Sequence, residues 1–347
     1  MFIYHQNIST NRKMEYLIKE MDKTGHPDFM NLFEECRLCP RNCGINRTRG
    51  AVRPSHGFCG QDHILRVAYI GAHFGEEPPI TGSNGSGTIF FSGCSLKCSF
   101  CQNFQISRDG LGKLLDMDEL LFKVIAMIER KKVHNINFVT PDHYFPHVFQ
   151  LVALLRDRGC LLPMVFNLSG YQSTEMLGMA EDFADIYLPD FKYSDPALSK
   201  RLSSCKDYPK VALEAITEMV KQKGFLDSSD DSSGLAGRGV LVRHLILPSI
   251  VDNSLNVLTT LFLEFGADLP VSLMSQYYPA ISHEDKDLNR SVTREEFDRV
   301  YSHALDLGFN NLFVQFPEKT PGKSQDRSSF LPDFNLDEAF AGNAPND

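Results

Sequence analysis

The stretch Cys94-Ser-Leu-Lys-Cys98-Ser-Phe-Cys101 brings three cysteines into eight residues. It follows the strand-like run at 88–91 and the turn pair Ser92-Gly93. Three thiolates this close in sequence can bind one metal centre without ligands from elsewhere in the fold. Because three ligands leave one coordination position open, the stretch predicts a reactive metal centre at the end of a strand.

A second group of cysteines lies upstream, with the spacing C-x2-C-x3-C-x15-C. Its members are Cys36, Cys39, Cys43 and Cys59. The intervening residues are polar and turn-forming, so the segment has little apolar core and a metal would have to fold it. Four thiolates fit either a [4Fe–4S] cluster or tetrahedral zinc. Zinc sites usually contain two C-x2-C pairs and this segment has one, so the spacing favours a cluster and leaves zinc, or no metal, as alternatives.

The composition is typical of a globular protein with a large core. Of the 347 residues, 42% are hydrophobic and 23% are charged, and the formal net charge is −9. An acidic chain without Lys/Arg clusters argues against general nucleic-acid binding. The sequence has neither an apolar run of about 20 residues, as a membrane span needs, nor a signal-peptide pattern. We therefore expect a cytoplasmic protein without a membrane partner, whose cysteines bind metal rather than form disulfides.

Strand and helix patterns alternate from residue 66 onward. Strands are predicted at 67–70, 88–91, 135–139, 163–167, 186–188, 240–247, 271–274 and 311–314. Amphipathic helical patterns lie between most of them. About six such units predict an α/β fold, specifically a partial (β/α)6 TIM-type barrel with an N-terminal cysteine-rich module. The expected parts are a helical extension (1–35), the cysteine-rich module (36–65), the barrel (66–317) and a flexible tail (318–347).

Active sites of parallel β/α folds form at the C-terminal ends of the strands. The polar residues at the predicted strand ends are Thr140, Asp142, His143, Asn167, Ser169, Asp190, Lys192, Arg243, Gln276 and Tyr277. We expect them to converge where the cysteine stretch also lies. Glu76 and Glu77, shortly before that stretch, belong either to this site or to a solvated loop.

The spacing C-x3-C-x2-C, with Phe100 before the last cysteine, resembles the signature of the radical S-adenosylmethionine superfamily. From about Cys36 to about Phe316 the chain resembles uncharacterised homologues of pyruvate formate-lyase activating enzyme. The resemblance implies a [4Fe–4S] cluster on Cys94, Cys98 and Cys101, whose fourth iron binds S-adenosylmethionine (SAM). Reductive cleavage of SAM would then yield a 5'-deoxyadenosyl radical that abstracts hydrogen. A low-potential electron donor such as flavodoxin or ferredoxin is implied as a partner.

The resemblance also implies a set of residues that bind the cofactor. These are Phe100, Thr140, Asp142, Asn167, Ser169, Asp190, Lys192 and Arg243. The Asp190-x-Lys192 pair and Arg243 match positions that contact SAM in the activating enzymes, and Asn167 and Ser169 match the ribose side. One departure is that the usual Gly-Gly-Glu at the second strand end reads Thr140-Pro141-Asp142 here.

Three functions are consistent with these features. The first is a radical SAM enzyme that takes hydrogen from a protein glycine, as an activating-enzyme-like oxidoreductase does, or from a small molecule. The second is a two-cluster electron-transfer protein without SAM chemistry, which leaves Asp190, Lys192 and Arg243 without a role. The third is a zinc-dependent interaction protein. No motif indicates a sugar, nucleotide or peptide substrate.

Overall fold

The computed structural model describes residues 28–48, 56–227, 234–317 and 331–340. The strands are β1 (Arg66–His73), β2 (Ser86–Phe91), β3 (Lys113–Leu114), β4 (Ile136–Val139), β5 (Met164–Leu168), β6 (Ile186–Pro189), β7 (Gly239–Val240), β8 (Val242–Leu245), β9 (Val271–Met274) and β10 (Leu312–Gln315). The α-helices are α1 (Pro78–Thr81), α2 (Phe104–Ser107), α3 (Met117–Lys131), α4 (Phe145–Asp157), α5 (Thr174–Ala180), α6 (Pro196–Ser203), α7 (Tyr208–Lys223), α8 (Val251–Phe265) and α9 (Arg294–Leu307). Short 3-10 turns occur at Met30–Phe33, Asp142–Tyr144 and Lys286–Asn289.

The strands form two sheets. The larger has the order β3-β1-β2-β4-β5-β6-β7, and the smaller has the order β10-β9-β8. Pairing is parallel from β2 through β7 and throughout the smaller sheet, whereas β1 pairs antiparallel with β2 and β3. The predicted α/β class with parallel strands is therefore confirmed. Among the described residues neither sheet closes on itself, so the narrower prediction of a six-unit partial barrel remains a prediction.

The prediction of a single strand at 240–247 is wrong. Gly239–Val240 pairs with β6, and Val242–Leu245 pairs with β9 in the other sheet. An isolated bridge between Asp190 and Arg243 joins the two sheets, and the Phe191 N–H donates to the Arg243 carbonyl at 2.8 Å. The segment 239–245 therefore changes its partner strand at Leu241. The sequence could not predict this change, because an apolar pattern does not show which strand a residue pairs with.

Helix ends and buried strands follow from local sequence. Asp116 caps α3 by accepting a hydrogen bond from the Glu119 N–H, and Thr293 and Glu296 form a capping box at the start of α9. All six residues of β2 are buried, as expected for a strand covered on both faces. In the described part of the chain, no helix has both the length and the apolar character of a membrane span.

Two segments outside the sheets pack against them. Phe29, just before the cysteine-rich module, packs edge-on against Phe149 of α4, with ring centroids 5.2 Å apart. In the C-terminal segment, Phe334 and Phe340 lie 5.5 and 5.3 Å from Phe90 of β2. The prediction of a flexible tail included this segment, but its aromatic side chains cover apolar surface that β1 and β2 present. Most of the predicted N-terminal helical extension lies outside the described residues.

Candidate functional site

A cavity of about 450 Å³ opens at the C-terminal ends of the parallel strands. The sequence-predicted residues that line it are Cys94, Cys98, Phe100, Cys101, Thr140, Asn167, Ser169, Asp190, Lys192, Arg243, Gln276 and Tyr277. These side chains come from six separate stretches of the chain. The structure thus brings together the cysteine stretch and all but one of the residues predicted to bind the cofactor.

Hydrogen-bond donors point at all three sulfurs of the cysteine stretch. The Leu96 N–H lies 3.3 Å from Cys94 Sγ, Ser203 Oγ lies 3.0 Å from Cys98 Sγ, and Ser107 Oγ lies 3.4 Å from Cys101 Sγ. A thiolate accepts such bonds well, and hydrogen bonds to ligand sulfurs tune iron–sulfur centres. The donor set therefore suits metal-bound thiolates.

Cys94 and Cys98 are buried, and Cys101 is partly buried. Burial raises the pKa of Cys94 to about 12, and the neighbouring Cys98 and Cys101 add to the effect. Burial likewise raises the pKa of Cys101. A bound cation reverses this preference, because a coordinated thiol loses its proton. Metal binding here would accordingly release protons.

The spacing of the thiols bears on the kind of metal group. Among the residues that the structure describes, no group of three or more His, Cys, Asp or Glu is close enough to hold a single metal ion. In an iron–sulfur cluster each thiolate binds a different iron, so the thiolates lie further apart than the ligands of one ion. Cys94, Cys98 and Cys101 could each bind one iron of such a cluster.

Phe100 shapes the cavity wall beside the cysteines. Its ring packs edge-on against Tyr193 and Tyr277, with centroids 6.4 and 6.2 Å away. Tyr277 is itself fixed, because its hydroxyl donates to the Leu288 carbonyl at 2.7 Å. The aromatic residue of the cysteine stretch therefore contacts protein and narrows the space around the sulfurs.

Asp190 and Lys192 form an ion pair in the cavity wall. Lys192 Nζ lies 2.5 Å from Asp190 Oδ2, and the two side chains are 19% and 21% exposed. Burial alone lowers the pKa of Lys192, but the charges of Asp190 and Cys98 outweigh it and raise the pKa above its ordinary value. Lys192 is thus held as a cation beside the cysteine sulfurs.

A backbone turn fixes this pair. Tyr208 Oη accepts a hydrogen bond from the Lys192 N–H at 3.0 Å and lies 2.9 Å from the Ser169 and Asp190 carbonyl oxygens. Gly170 has φ +81°, and a Cβ there would lie 2.1 Å from the Asp190 carbonyl. Only glycine fits this position, so the ends of β5 and β6 are locked to each other.

Arg243 pairs with two carboxylates. Its guanidinium donates to both Glu76 and Glu77, and the three side chains are between 7% and 9% exposed. Burial alone raises the pKa of Glu77, but the Arg243 charge outweighs it and holds that pKa below the usual range. Asn137 Nδ2 donates to Glu76 Oε1 at 3.0 Å. Glu76 and Glu77 therefore belong to the cavity wall and not to a solvated loop.

Thr140 directly follows β4 and has a left-handed backbone conformation, with φ +54°. A β-branched residue rarely adopts this conformation, and the following Pro141 restricts it further. The Thr140 N–H donates to the Asn167 carbonyl at 3.0 Å, which ties the ends of β4 and β5 together. Thr140 and Asn167 both line the cavity.

Asp142 is the predicted cofactor-binding residue that does not line the cavity. Its carboxyl is fully buried, accepts a hydrogen bond from Gln172 Nε2 at 2.6 Å and lies 3.3 Å from Ser95 Oγ. Burial raises the pKa of Asp142 to about 7. This placement makes Asp142 a support for the cysteine stretch through Ser95.

The upstream cysteines lie in one loop, of which the structure describes residues 36–48 and 56–59. The Cys36 N–H donates to the Ile45 carbonyl at 2.8 Å, and a Cβ on Gly57 would lie 3.0 Å from Cys43 Sγ. Burial raises the pKa of Cys39 and of Cys59, and the nearby cysteines contribute to both shifts. Cys36 and Cys59 are thus buried, Cys39 and Cys43 are partly buried, and the missing side chain of Gly57 leaves room beside Cys43.

Some residues of the site lie outside the sequence-based set. His73 and Phe340 line the cavity, and His283 Nε2 lies 2.7 Å from Ser99 Oγ in the cysteine stretch. The sequence gives no local signal for Phe340, because its segment is polar and distant. His283 follows β9 and could have been found by extending the search beyond Tyr277.

Comparisons with known proteins agree with an iron–sulfur assignment for part of the chain. Residues 81–188 match the family model described as "4Fe-4S single cluster domain". An uncharacterised protein of Methanocaldococcus jannaschii, MJ0674, is 28% identical over 277 residues, which cover 78% of this chain and 74% of that protein.

Among solved structures, the chain is similar to Streptococcus suis SuiB bound to S-adenosylmethionine. The TM-score is 0.44 with 10% identity, and the match covers 69% of this chain and 50% of SuiB. Methylornithine synthase (PylB) gives a TM-score of 0.41 with 15% identity, covering 70% of this chain and 76% of that one. The chain thus spans half the length of the SuiB chain that it matches.

Proposed function

We propose that this chain is a radical S-adenosylmethionine enzyme. The observation that carries the proposal is one cavity that joins Cys94, Cys98 and Cys101 to Asn167, Ser169, Asp190, Lys192 and Arg243. A volume of about 450 Å³ is in the range of small-molecule sites. An electron carrier would need the cysteines but not a cavity lined by charged strand-end side chains.

Cys94, Cys98 and Cys101 would hold a [4Fe–4S] cluster and leave one iron without a protein ligand. When bound, the cluster supplies the electron that cleaves S-adenosylmethionine and so generates a 5'-deoxyadenosyl radical. Lys192 contributes a fixed positive charge for the carboxylate of the ligand. Asn167 and Ser169 offer hydrogen bonds for its ribose hydroxyls. Phe100 and the tyrosines around it exclude water from the space beside the sulfurs.

Cys36, Cys39, Cys43 and Cys59 would hold a second metal group. The buried thiols and the room left by Gly57 suit a [4Fe–4S] cluster, and tetrahedral zinc is the alternative. A low-potential donor such as flavodoxin or ferredoxin would supply electrons. The site would lie in a cytoplasmic protein, since such clusters persist in a reducing compartment.

The narrower proposal is an activating-enzyme-like oxidoreductase that takes hydrogen from a glycine of a partner polypeptide. Its support is the resemblance of the strand-end motifs to the activating-enzyme homologues. A purified candidate glycyl-radical enzyme, mixed with the reduced protein and SAM, should show a protein-based radical by electron paramagnetic resonance. A small-molecule substrate would give 5'-deoxyadenosine without that signal.

Anaerobically purified protein tests the main proposal. Two clusters predict about eight iron atoms per chain and one cluster predicts about four. Dithionite and S-adenosylmethionine should yield 5'-deoxyadenosine. A reconstituted protein that makes none would refute the enzyme and favour the electron-transfer alternative, and stoichiometric zinc without iron would favour the interaction protein.

Matched cysteine variants sharpen the test. Cys98→Ala should abolish 5'-deoxyadenosine formation and remove the iron of one cluster. Cys160→Ala is the control, because Cys160 lies beyond the end of α4 and lines no part of the cavity. Equal loss of activity in both variants would contradict the assignment.

A further inference from the structure

Arg41 lies between Cys39 and Cys43 of the upstream loop, yet its side chain reaches out of that loop. Its Nε donates to the Ser95 carbonyl at 2.8 Å. Its Nη2 and Nη1 donate to the Ser203 and Ser204 carbonyls at 2.9 and 2.6 Å. One side chain thereby joins three carbonyl oxygens from two distant segments.

Both of these segments belong to the surroundings of the downstream cysteines. Ser95 directly follows Cys94, and Ser203 ends α6 with its hydroxyl 3.0 Å from Cys98 Sγ. The Ser99 N–H also donates to the Leu202 carbonyl at 2.7 Å. The cysteine stretch therefore rests on the C-terminal end of α6, and Arg41 binds the two parts at once.

The chemistry of this contact requires arginine. The guanidinium presents several donors in a fixed plane, whereas a lysine ammonium on its flexible stem could satisfy fewer of the three carbonyls in this geometry. A cation is also favoured beside the unpaired carbonyls at a helix C-terminus.

Arg41 is held in place by aromatic rings. Its guanidinium lies 3.7 Å from the centre of the Phe58 ring and 5.4 Å from that of Tyr171. Phe58 directly precedes Cys59, so both ends of the upstream loop contribute to this arrangement. The Tyr171 hydroxyl is in turn anchored on the Asp207 carboxylate at 3.1 Å.

We propose that Arg41 is a positioning residue for the 94–101 stretch, through which the upstream cysteine loop sets the geometry of the cavity. The inference rests on the proposed function for its catalytic consequence. Arg41 does not line the cavity, whereas Lys192, Asn167 and Arg243 do. Its loss should therefore affect turnover more than affinity for S-adenosylmethionine.

The test compares Arg41→Ala, Arg41→Lys and the control Arg37→Ala in the full chain, reconstituted anaerobically. Arg37 lies in the same loop, is exposed, and donates hydrogen bonds to Glu35 and Asn42. Arg41→Ala should lower kcat for 5'-deoxyadenosine formation about tenfold to a hundredfold, because a displacement of about 1 Å costs this much. The KM for S-adenosylmethionine should change less than about threefold.

Two further measurements do not depend on turnover. Hydrogen exchange of residues 94–101 should be at least about tenfold faster in Arg41→Ala, and the paramagnetic resonance spectrum of the reduced cluster should change shape. In both measurements, the effect of Arg41→Lys should be smaller than that of Arg41→Ala, and the unsubstituted protein is the reference. Arg37→Ala should match the unsubstituted protein in all readouts.

If Arg41→Ala changes neither the hydrogen exchange of residues 94–101 nor the paramagnetic resonance spectrum, the proposal is overturned. An equal effect of Arg37→Ala would also overturn it. If Arg41→Ala does not fold, the same comparison with Arg41→Lys decides. If the unsubstituted protein makes no 5'-deoxyadenosine, the proposed function fails, but the exchange comparison still decides whether Arg41 positions the stretch.

Discussion

The buried Arg243 group allows a quantitative prediction for Arg243→Met. The change removes the only cation that contacts Glu76 and Glu77 among the described residues and leaves two carboxylates that are 7% and 8% exposed. Breaking a buried ion pair by removing one partner costs about 3–5 kcal/mol. For a chain of this size the thermal midpoint shifts about 2 °C per kcal/mol, so we expect a decrease of about 6–10 °C.

The effect should depend on pH in a defined direction. In the native protein Arg243 lowers the pKa of Glu77, whose ordinary value is 4.5. Without Arg243, burial raises that pKa above 4.5. The unfolded chain then loses its proton at a lower pH than the folded chain, so stability falls as pH rises above about 4.5, by up to about 1.4 kcal/mol per unit for one carboxyl. The variant should therefore be closer to the unsubstituted protein at pH 5 than at pH 8.

The assay is the thermal midpoint of anaerobically reconstituted protein at both pH values. Arg299→Met is the control, because its partner Asp252 is 83% exposed and an exposed pair contributes about 1 kcal/mol or less. An Arg243→Met midpoint within about 2 °C of this control at both pH values would refute the argument. So would a deficit that shrinks from pH 5 to pH 8.

Three further predictions concern packing and titration. His244 lies 2.8 Å from both the Phe191 carbonyl and Ser254 Oγ, and burial lowers its pKa from 6.5 to about 4. The stability that the neutral His244 contributes above pH 6.5 should therefore be lost as the pH falls toward 4. In His244→Gln, the free energy of unfolding should fall by about 3 kcal/mol less over that interval. Ser203→Ala should lower the thermal midpoint by about 4 °C, since the hydroxyl makes two buried hydrogen bonds, to Cys98 Sγ and to Tyr193 Oη, of about 1 kcal/mol each. It should also lower the reduction potential of the proposed cluster, and an unchanged potential would contradict the contact with Cys98. Phe334→Ala should speed hydrogen exchange of residues 331–340 without lowering the global midpoint by more than about 2 °C, and a larger global decrease would show that this segment is part of the main folding unit.

Much of the site could be predicted from the sequence because its residues lie at the ends of strands that the sequence also predicts. The cysteine stretch follows a buried strand, and Asn167, Ser169, Asp190 and Lys192 lie at or just after the C-terminal ends of two neighbouring parallel strands. Since parallel strands place their C-terminal ends at one edge, these residues had to converge. The strand at 271–274 and the helix at 294–307 were predictable for a similar reason, because their apolar patterns are undisturbed.

Other features depend on pairings between distant residues, which a local pattern does not contain. Arg243 meets Glu76 and Glu77 across more than 160 residues of chain. The run 239–245 changes its partner strand at Leu241, from β6 to β9, and both partners are distant in sequence. The packing of Phe340 against the cavity is equally nonlocal, since composition alone predicts a tail without fixed contacts.

The left-handed turn at Thr140 has a consequence for mutational tolerance. A backbone with φ +54° accepts glycine best and asparagine next, and it accepts β-branched residues worst. A saturation library at this position should therefore rank Gly and Asn above Val and Ile, the reverse of the order at an ordinary strand end. Thr140 adopts this conformation although its side chain is unfavourable for it, so a search for a glycine motif would not detect this turn.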